Sequence, residues 1–127
     1  MTSADEEPAD TLNAQISRAH VRLMREYTGR GPSKARTTID GNLVVCILSE
    51  LLTQGERSLS AHGKGDAVLE TRRAFQEAMG DELTAAVARI TGCPVKAFMS
   101  ANSLDPDYAA EIFVLDRPLT NLPSVDA

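Results

Sequence analysis

Arg36-Thr37-Thr38-Ile39-Asp40-Gly41-Asn42-Leu43-Val44-Val45-Cys46-Ile47-Leu48 is the stretch that decides the fold. A β-branched segment meets an Asp-Gly-Asn turn, and a continuous apolar run follows. That order reads as a β-hairpin over residues 35–48. The run from Leu43 to Leu48 is too short for a stable helix and is rich in β-branched residues. It reads as an interior strand buried on both faces.

Working outward from the hairpin, Leu12, Ile16, Ala19, Leu23 and Tyr27 recur at spacings of three and four, the apolar stripe of a helix. Asp10 or Thr11 would cap its start, Gly29 would end it, and Pro32 forbids its continuation. Beyond the hairpin, Thr53 and Glu56 stand at capping-box spacing and predict a short helix over 53–61. Gly63, Lys64 and Gly65 interrupt it. A long helix is expected from Asp66, as N-cap, to Thr91, with Gly92 closing it. Its stripe is Val68, Phe75, Met79, Leu83, Ala86, Val87 and Ile90. Gly80 inside it costs about 1 kcal/mol relative to Ala and points to a close backbone contact or a mild bend. Val95–Met99 and Glu111–Leu115 read as the last strands, with a turn at Asp105-Pro106-Asp107. The order is α-ββ-α-α-ββ. It predicts a single α+β domain over residues 11–117, a four-stranded, largely antiparallel sheet with helices packed on one face. Residues 1–10 read as a disordered acidic tail and 118–127 as a C-terminal tail.

The chain has 127 residues, 43% of them apolar, enough to bury a core. Only 4% are aromatic and none is Trp, so aliphatic packing carries that core and no base-stacking surface is expected. The net charge of −5 opposes a nucleic-acid role. The charge is unevenly placed. Asp5, Glu6, Glu7 and Asp10 lie in the first ten residues without a cation. Arg18, Arg22, Arg25, Arg30, Lys34 and Arg36 then face Glu26 alone within residues 11–39. A basic third behind an acidic tail suggests self-screening or a localised anionic partner. The N-terminus carries no signal-peptide pattern and no stretch approaches the roughly 18 apolar residues of a membrane span, so a cytoplasmic protein is expected.

Cys46 and Cys93 fall in or beside apolar segments and read as buried free thiols. With His20 and His62 they match no zinc spacing. Asn102, Asp105 and Asp107 are better explained by turns around Pro106 than by a metal. No metal, cofactor or catalytic residue is expected. The run Gly29-Arg30-Gly31-Pro32-Ser33-Lys34-Ala35-Arg36 reads two ways. It can terminate the helix, with its cations complementing the helix dipole. It can also hold a small anion, with glycine N–H groups assisting Arg30, Lys34 and Arg36. Arg72 falls at the centre of the long helix's apolar stripe and needs a buried acid or a bound anion. Glu50, Glu56 and Asp105 are candidate acids, and an internal ion pair is the commoner arrangement.

The blocks Gly29-Arg30-Gly31-Pro32 with Lys34-Ala35-Arg36, Arg73-Ala74-Phe75-Gln76-Glu77-Ala78-Met79, Asp105-Pro106-Asp107 and Ile112-Phe113-Val114-Leu115, in this order, resemble the MpsC-like family over about residues 12–117. That family is named for a component of a sodium-translocating, membrane-potential-generating system. The resemblance implies a small soluble bacterial protein associated with cation- or bicarbonate-transport machinery, and it implies no catalytic residues. Two functions follow as expectations. One is a non-enzymatic accessory or regulatory subunit acting through a protein partner, including a membrane transport component. The alternative is a small-anion or nucleotide sensor or enzyme using Gly29, Arg30, Gly31, Pro32, Lys34, Arg36 and Arg72. A homodimer is expected from the two open edges of a four-stranded sheet.

Overall fold

The computed structural model describes residues 11–119; the expected acidic tail over 1–10 and residues 120–127 lie outside the described residues. Helix α1, Leu12–Thr28, starts where the Thr11 hydroxyl accepts the Ala14 N–H at 3.1 Å. Strands β1, Lys34–Asp40, and β2, Leu43–Ser49, form the expected hairpin, closed by the pair Asp40 and Leu43. Helix α2, Gln54–Leu59, has the full capping box. The Thr53 hydroxyl accepts from the Glu56 N–H, and Glu56 Oε1 accepts from the Thr53 N–H at 2.9 Å. A wide turn over Ser60–Lys64 leads into α3, Gly65–Thr91. Its break lies at His62 and Gly63, where φ reaches 79° at the glycine.

Three local expectations are corrected. Asp66 is not the cap of α3: it lies in the first turn, and the cap position is Lys64, which makes no side-chain capping bond. His62 and Gly63 leave helical geometry, so α3 begins afresh at Gly65, earlier than an Asp66 cap would place it. The last two strands are longer than their apolar cores suggest. β3 is Val95–Ser103 and β4 is Tyr108–Leu115, so the connection between them shrinks to the turn over 104–107. Finally, β2 is not buried on both faces. Val44, Cys46 and Leu48 are buried, but Leu43 and Ile47 are 39% and 38% exposed. The helices cover one face of the sheet only.

The four strands stand in the order β1-β2-β4-β3, every neighbour antiparallel. β2 is interior, as its composition predicts. Residues alternate between the two faces, so Val44 on β2 and Phe113 and Leu115 on β4 meet α1 and α3. Ile16 and Leu23 from α1 and Met79, Leu83 and Val87 from α3 complete the main core. Gly80 resolves as a close contact. A Cβ there would stand 3.4 Å from the Phe98 ring, which stacks on Phe113 with centroids 5.0 Å apart. Cys46 and Cys93 are buried and free.

His20 lies in the core at 1% exposure, edge-on to Phe113 at 5.6 Å. Its Nδ1 donates to the Ile16 carbonyl at 3.0 Å, and its buried Nε2 has no hydrogen-bond partner among the described residues. Burial pushes the imidazole below its ordinary value of 6.5, against the backbone hydrogen bond. A lowered folded value means that the unfolded chain takes up a proton that the native state excludes. Stability is then lost as pH falls below about 6.5. Melting temperatures between about pH 7.5 and pH 5 should drop for the native chain, and less steeply for His20→Leu. Equal slopes would exclude His20 as a source of the acid sensitivity.

Candidate functional site

The cationic run does not act as one unit; the fold divides its side chains between two places. Gly29 ends α1 in the left-handed region at φ 80°, which a glycine reaches without steric cost, and its N–H donates to the Arg25 carbonyl at 2.9 Å. Gly31 packs under Arg25, where an added Cβ would meet the Arg25 Cγ at 3.1 Å. Pro32 is buried. These three residues shape the path of the chain from α1 into β1. Arg30 turns toward the β2–α2 connection, and its Nη1 donates to the carbonyls of Leu51 and Leu52, both at 3.0 Å. Lys34 and Arg36 lie on β1, at the opposite side of the loop, exposed.

Arg72 lies largely covered in the helix stripe, and its acid is Asp107. Neither Glu50, Glu56 nor Asp105 takes that place. The guanidinium Nη2 donates to Asp107 Oδ1 at 2.7 Å, and the two side chains are only 9% and 13% exposed. Nη1 donates to the carbonyls of Tyr108 at 3.0 Å and Ser103 at 3.3 Å. The other carboxylate oxygen of Asp107 accepts the Leu52 N–H at 2.7 Å. The extended β3 and β4 carry the turn back beneath α3, which brings Asp107 inward and leaves Asp105 exposed.

Arg30 and Arg72 thus border one small cavity of about 120 Å³. Its apolar wall includes Met24, Leu51, Phe75, Met79 and Ala109, and its polar floor is Gln76 and Glu111. Glu111 is 2% exposed. It accepts from Gln76 Nε2 at 3.0 Å and from the Ser100 hydroxyl. Gln76 and Asn102 exchange two amide hydrogen bonds at 2.9 Å. Burial raises the Glu111 carboxyl above its ordinary value; the Ser100 and Gln76 hydrogen bonds and the charge of Arg72 oppose that shift. This network escaped the reading of the sequence. Glu111 shares the inward parity of Ala109 and Phe113 on β4, and that alternation was the signal available.

The second place is a cleft of about 1270 Å³ between α1 and β1. Arg18, Arg22, Arg25, Lys34 and Arg36 line it, and Glu26 is the one carboxylate among its lining residues. Glu26 reaches Arg22 at only 3.9 Å, with both side chains more than half exposed, so the pair neutralises little. Asn13, Ser17 and Thr37 set the helix against the strand. Asn13 Nδ2 donates to the Thr37 carbonyl at 2.9 Å, and the two hydroxyls lie 2.8 Å apart.

No cluster of metal-ligating side chains occurs among the described residues. The Cys46 thiol is pushed up to about 12 by burial, which keeps it protonated and unreactive. No described helix is long and apolar enough to cross a membrane.

The family model described as Na+-translocating membrane potential-generating system (MpsC) matches residues 9–117, most of the chain. The chain belongs to that family. No curated protein and no solved structure matches it significantly.

Removing the acid from the Arg72 pair leaves a buried guanidinium without its counter-charge, which costs about 3 kcal/mol. Asp107→Asn should therefore lower unfolding stability by about that amount in urea titration, whereas pairing it with Arg72→Met should recover part of the loss. For Glu111 the sign is opposite to a paired carboxylate. Its raised folded value means that stability is lost as pH climbs past the ordinary carboxyl value. Glu111→Gln should melt higher than the native chain at neutral pH and show no advantage well below that value.

Proposed function

We propose that this MpsC-family chain is a non-enzymatic accessory subunit of a membrane-potential-generating system, working from the cytoplasm by binding another protein of that system. The observation that carries this reading is the α1–β1 cleft. It gathers Arg18, Arg22, Arg25, Lys34 and Arg36 around a single carboxylate in a chain whose net charge is −5. A localised basic surface on an acidic protein favours one orientation of approach to an acidic partner and speeds that encounter. The family description supplies the system in which the partner is sought.

A second reading keeps the cleft and changes its occupant to a small anion held by Lys34 and Arg36. The division of the cationic run supports this placement over the loop itself, since Arg30 is engaged by the Leu51 and Leu52 carbonyls and Arg72 by Asp107. A native-state ligand raises apparent stability, so bicarbonate, phosphate or a nucleotide should raise the melting temperature under this reading and leave it unchanged under the first.

Arg18→Glu/Arg22→Glu reverses two exposed charges on α1 without touching the core. Co-expressed with the membrane components of the system, the native chain should co-purify at low salt and dissociate as salt rises. The double variant should fold with a near-native melting temperature and be lost from the complex. Retention of the variant at native yield would refute the cleft as the contact surface.

A further inference from the structure

The side of the sheet away from the helices is chemically the reverse of the cleft. Its outward positions on β2, β4 and β3 include Leu43, Val45, Ile47, Ile112, Val114 and Met99. The remaining outward positions on these strands are alanines, serines and Tyr108, and the one charged residue is Lys96, exposed at the β3 bulge by the end of the patch. Leu43, Ile47, Met99 and Tyr108 are 38–49% exposed. The register aligns these residues in rows: Val45 beside Ile112 beside Met99, and Leu43 beside Val114 beside Ala97. Strand spacing of about 4.8 Å and a rise of about 3.3 Å per residue give this face a flat footprint of about 450 Å². Side-chain relief adds to that figure and brings it toward the roughly 800 Å² per partner of a specific interface. A contiguous apolar patch of this size equals the largest patch of an ordinary monomer, which is often a functional surface, so the charges at its margin have to identify what it binds.

The charges at its margin indicate the occupant. On edge strand β1 the outward positions are Lys34, Arg36, Thr38 and Asp40, so a cation stands at one end and a carboxylate at the other. A two-fold axis lying in the interface and perpendicular to the strands sets β1 over β1 in reversed direction. Lys34 of each copy then approaches Asp40 of the other, and Val45 approaches Ile47. Stacked sheets cross at about 30°, which offsets the rim residues by a few ångströms, within the reach of a lysine stem. A surface that complements itself in this way is what an isologous dimer requires.

We infer that the outer sheet face binds a second copy of this chain, sheet on sheet, with Lys34 and Asp40 fixing the two-fold register. The α1 arginines of the cleft stay on the outside of that dimer, while Lys34, at the rim shared by the cleft and the sheet face, is drawn into the contact. The contact is through the face and not, as the open edges alone would suggest, through strand pairing.

Sedimentation equilibrium of the full chain tests this. The native protein should show a mass twice 13.6 kDa, and Ile47→Glu and Met99→Glu should each sediment as folded monomers by melting temperature. Two exposed sites are used so that one poorly folding variant does not decide the result. Lys34→Glu should weaken the dimer about tenfold or more, because it sets like charges together twice. Lys34→Glu/Asp40→Lys should restore it. A native chain that stays monomeric up to about 100 μM overturns the inference. A dimer indifferent to both apolar substitutions overturns it equally, by placing the contact elsewhere. Failure of the double charge exchange to restore association overturns the two-fold register.

Discussion

The buried guanidinium of Arg72 is the constraint on which the rest of the site depends. Largely covered within α3's inward stripe, it needs a counter-charge where it stands, since a desolvated charge is costly without one. Asp107 supplies that charge at 2.7 Å, and two carbonyls of the β3–β4 hairpin take further N–H groups. Asp107 in turn holds the Leu52 N–H, and the Leu51 and Leu52 carbonyls hold Arg30. A single run of polar contacts therefore ties the end of α1, the β2–α2 connection, the β3–β4 turn and α3 together. Each link satisfies a group that would otherwise be costly to bury.

That run also sorts the cations by role. Arg30 and Arg72 border the small cavity yet are engaged by the fold: Arg72 is neutralised by Asp107, and Arg30 is hydrogen-bonded to the Leu51 and Leu52 carbonyls. Lys34 and Arg36 stand on an edge strand facing solvent, beside three arginines of α1. A basic cleft on one side and a sheet face that is apolar except at its margins on the other give the domain two surfaces of different chemistry. The first suits an acidic surface reached through solvent; the second suits a partner that removes water from apolar side chains.

Much of the fold was legible because it rests on local patterns. The stripe of α1, the Thr53–Glu56 capping box and the Asp40-Gly41-Asn42 turn are each specified by neighbours in sequence, and each formed as read. The errors arose where distant packing decided. Ser100, Asn102 and Ser103 look like a loop, but they extend β3. Ser100 bonds Glu111, Asn102 bonds Gln76, and Ser103 gives its carbonyl to Arg72. The run Leu43–Leu48 looks doubly buried, yet apolar composition does not say whether helices or another molecule cover the second face. The need of Arg72 for an acid was readable from its place in the stripe. Which acid it takes depends on where the β3–β4 turn folds back, and that is a tertiary fact.

Side-chain nitrogen NMR of the arginines, followed through a titration with bicarbonate and then phosphate, tests the central claim most directly. The claim is that Arg30 and Arg72 are committed to the fold. If so, the Nε–H signals of both stay fixed in position across the titration, with Arg72 slow to exchange with solvent as a buried, hydrogen-bonded group. A saturable shift of the Arg72 or Arg30 signals, at anion concentrations that leave the exposed arginines of α1 unmoved, would contradict it and make the small cavity an anion site.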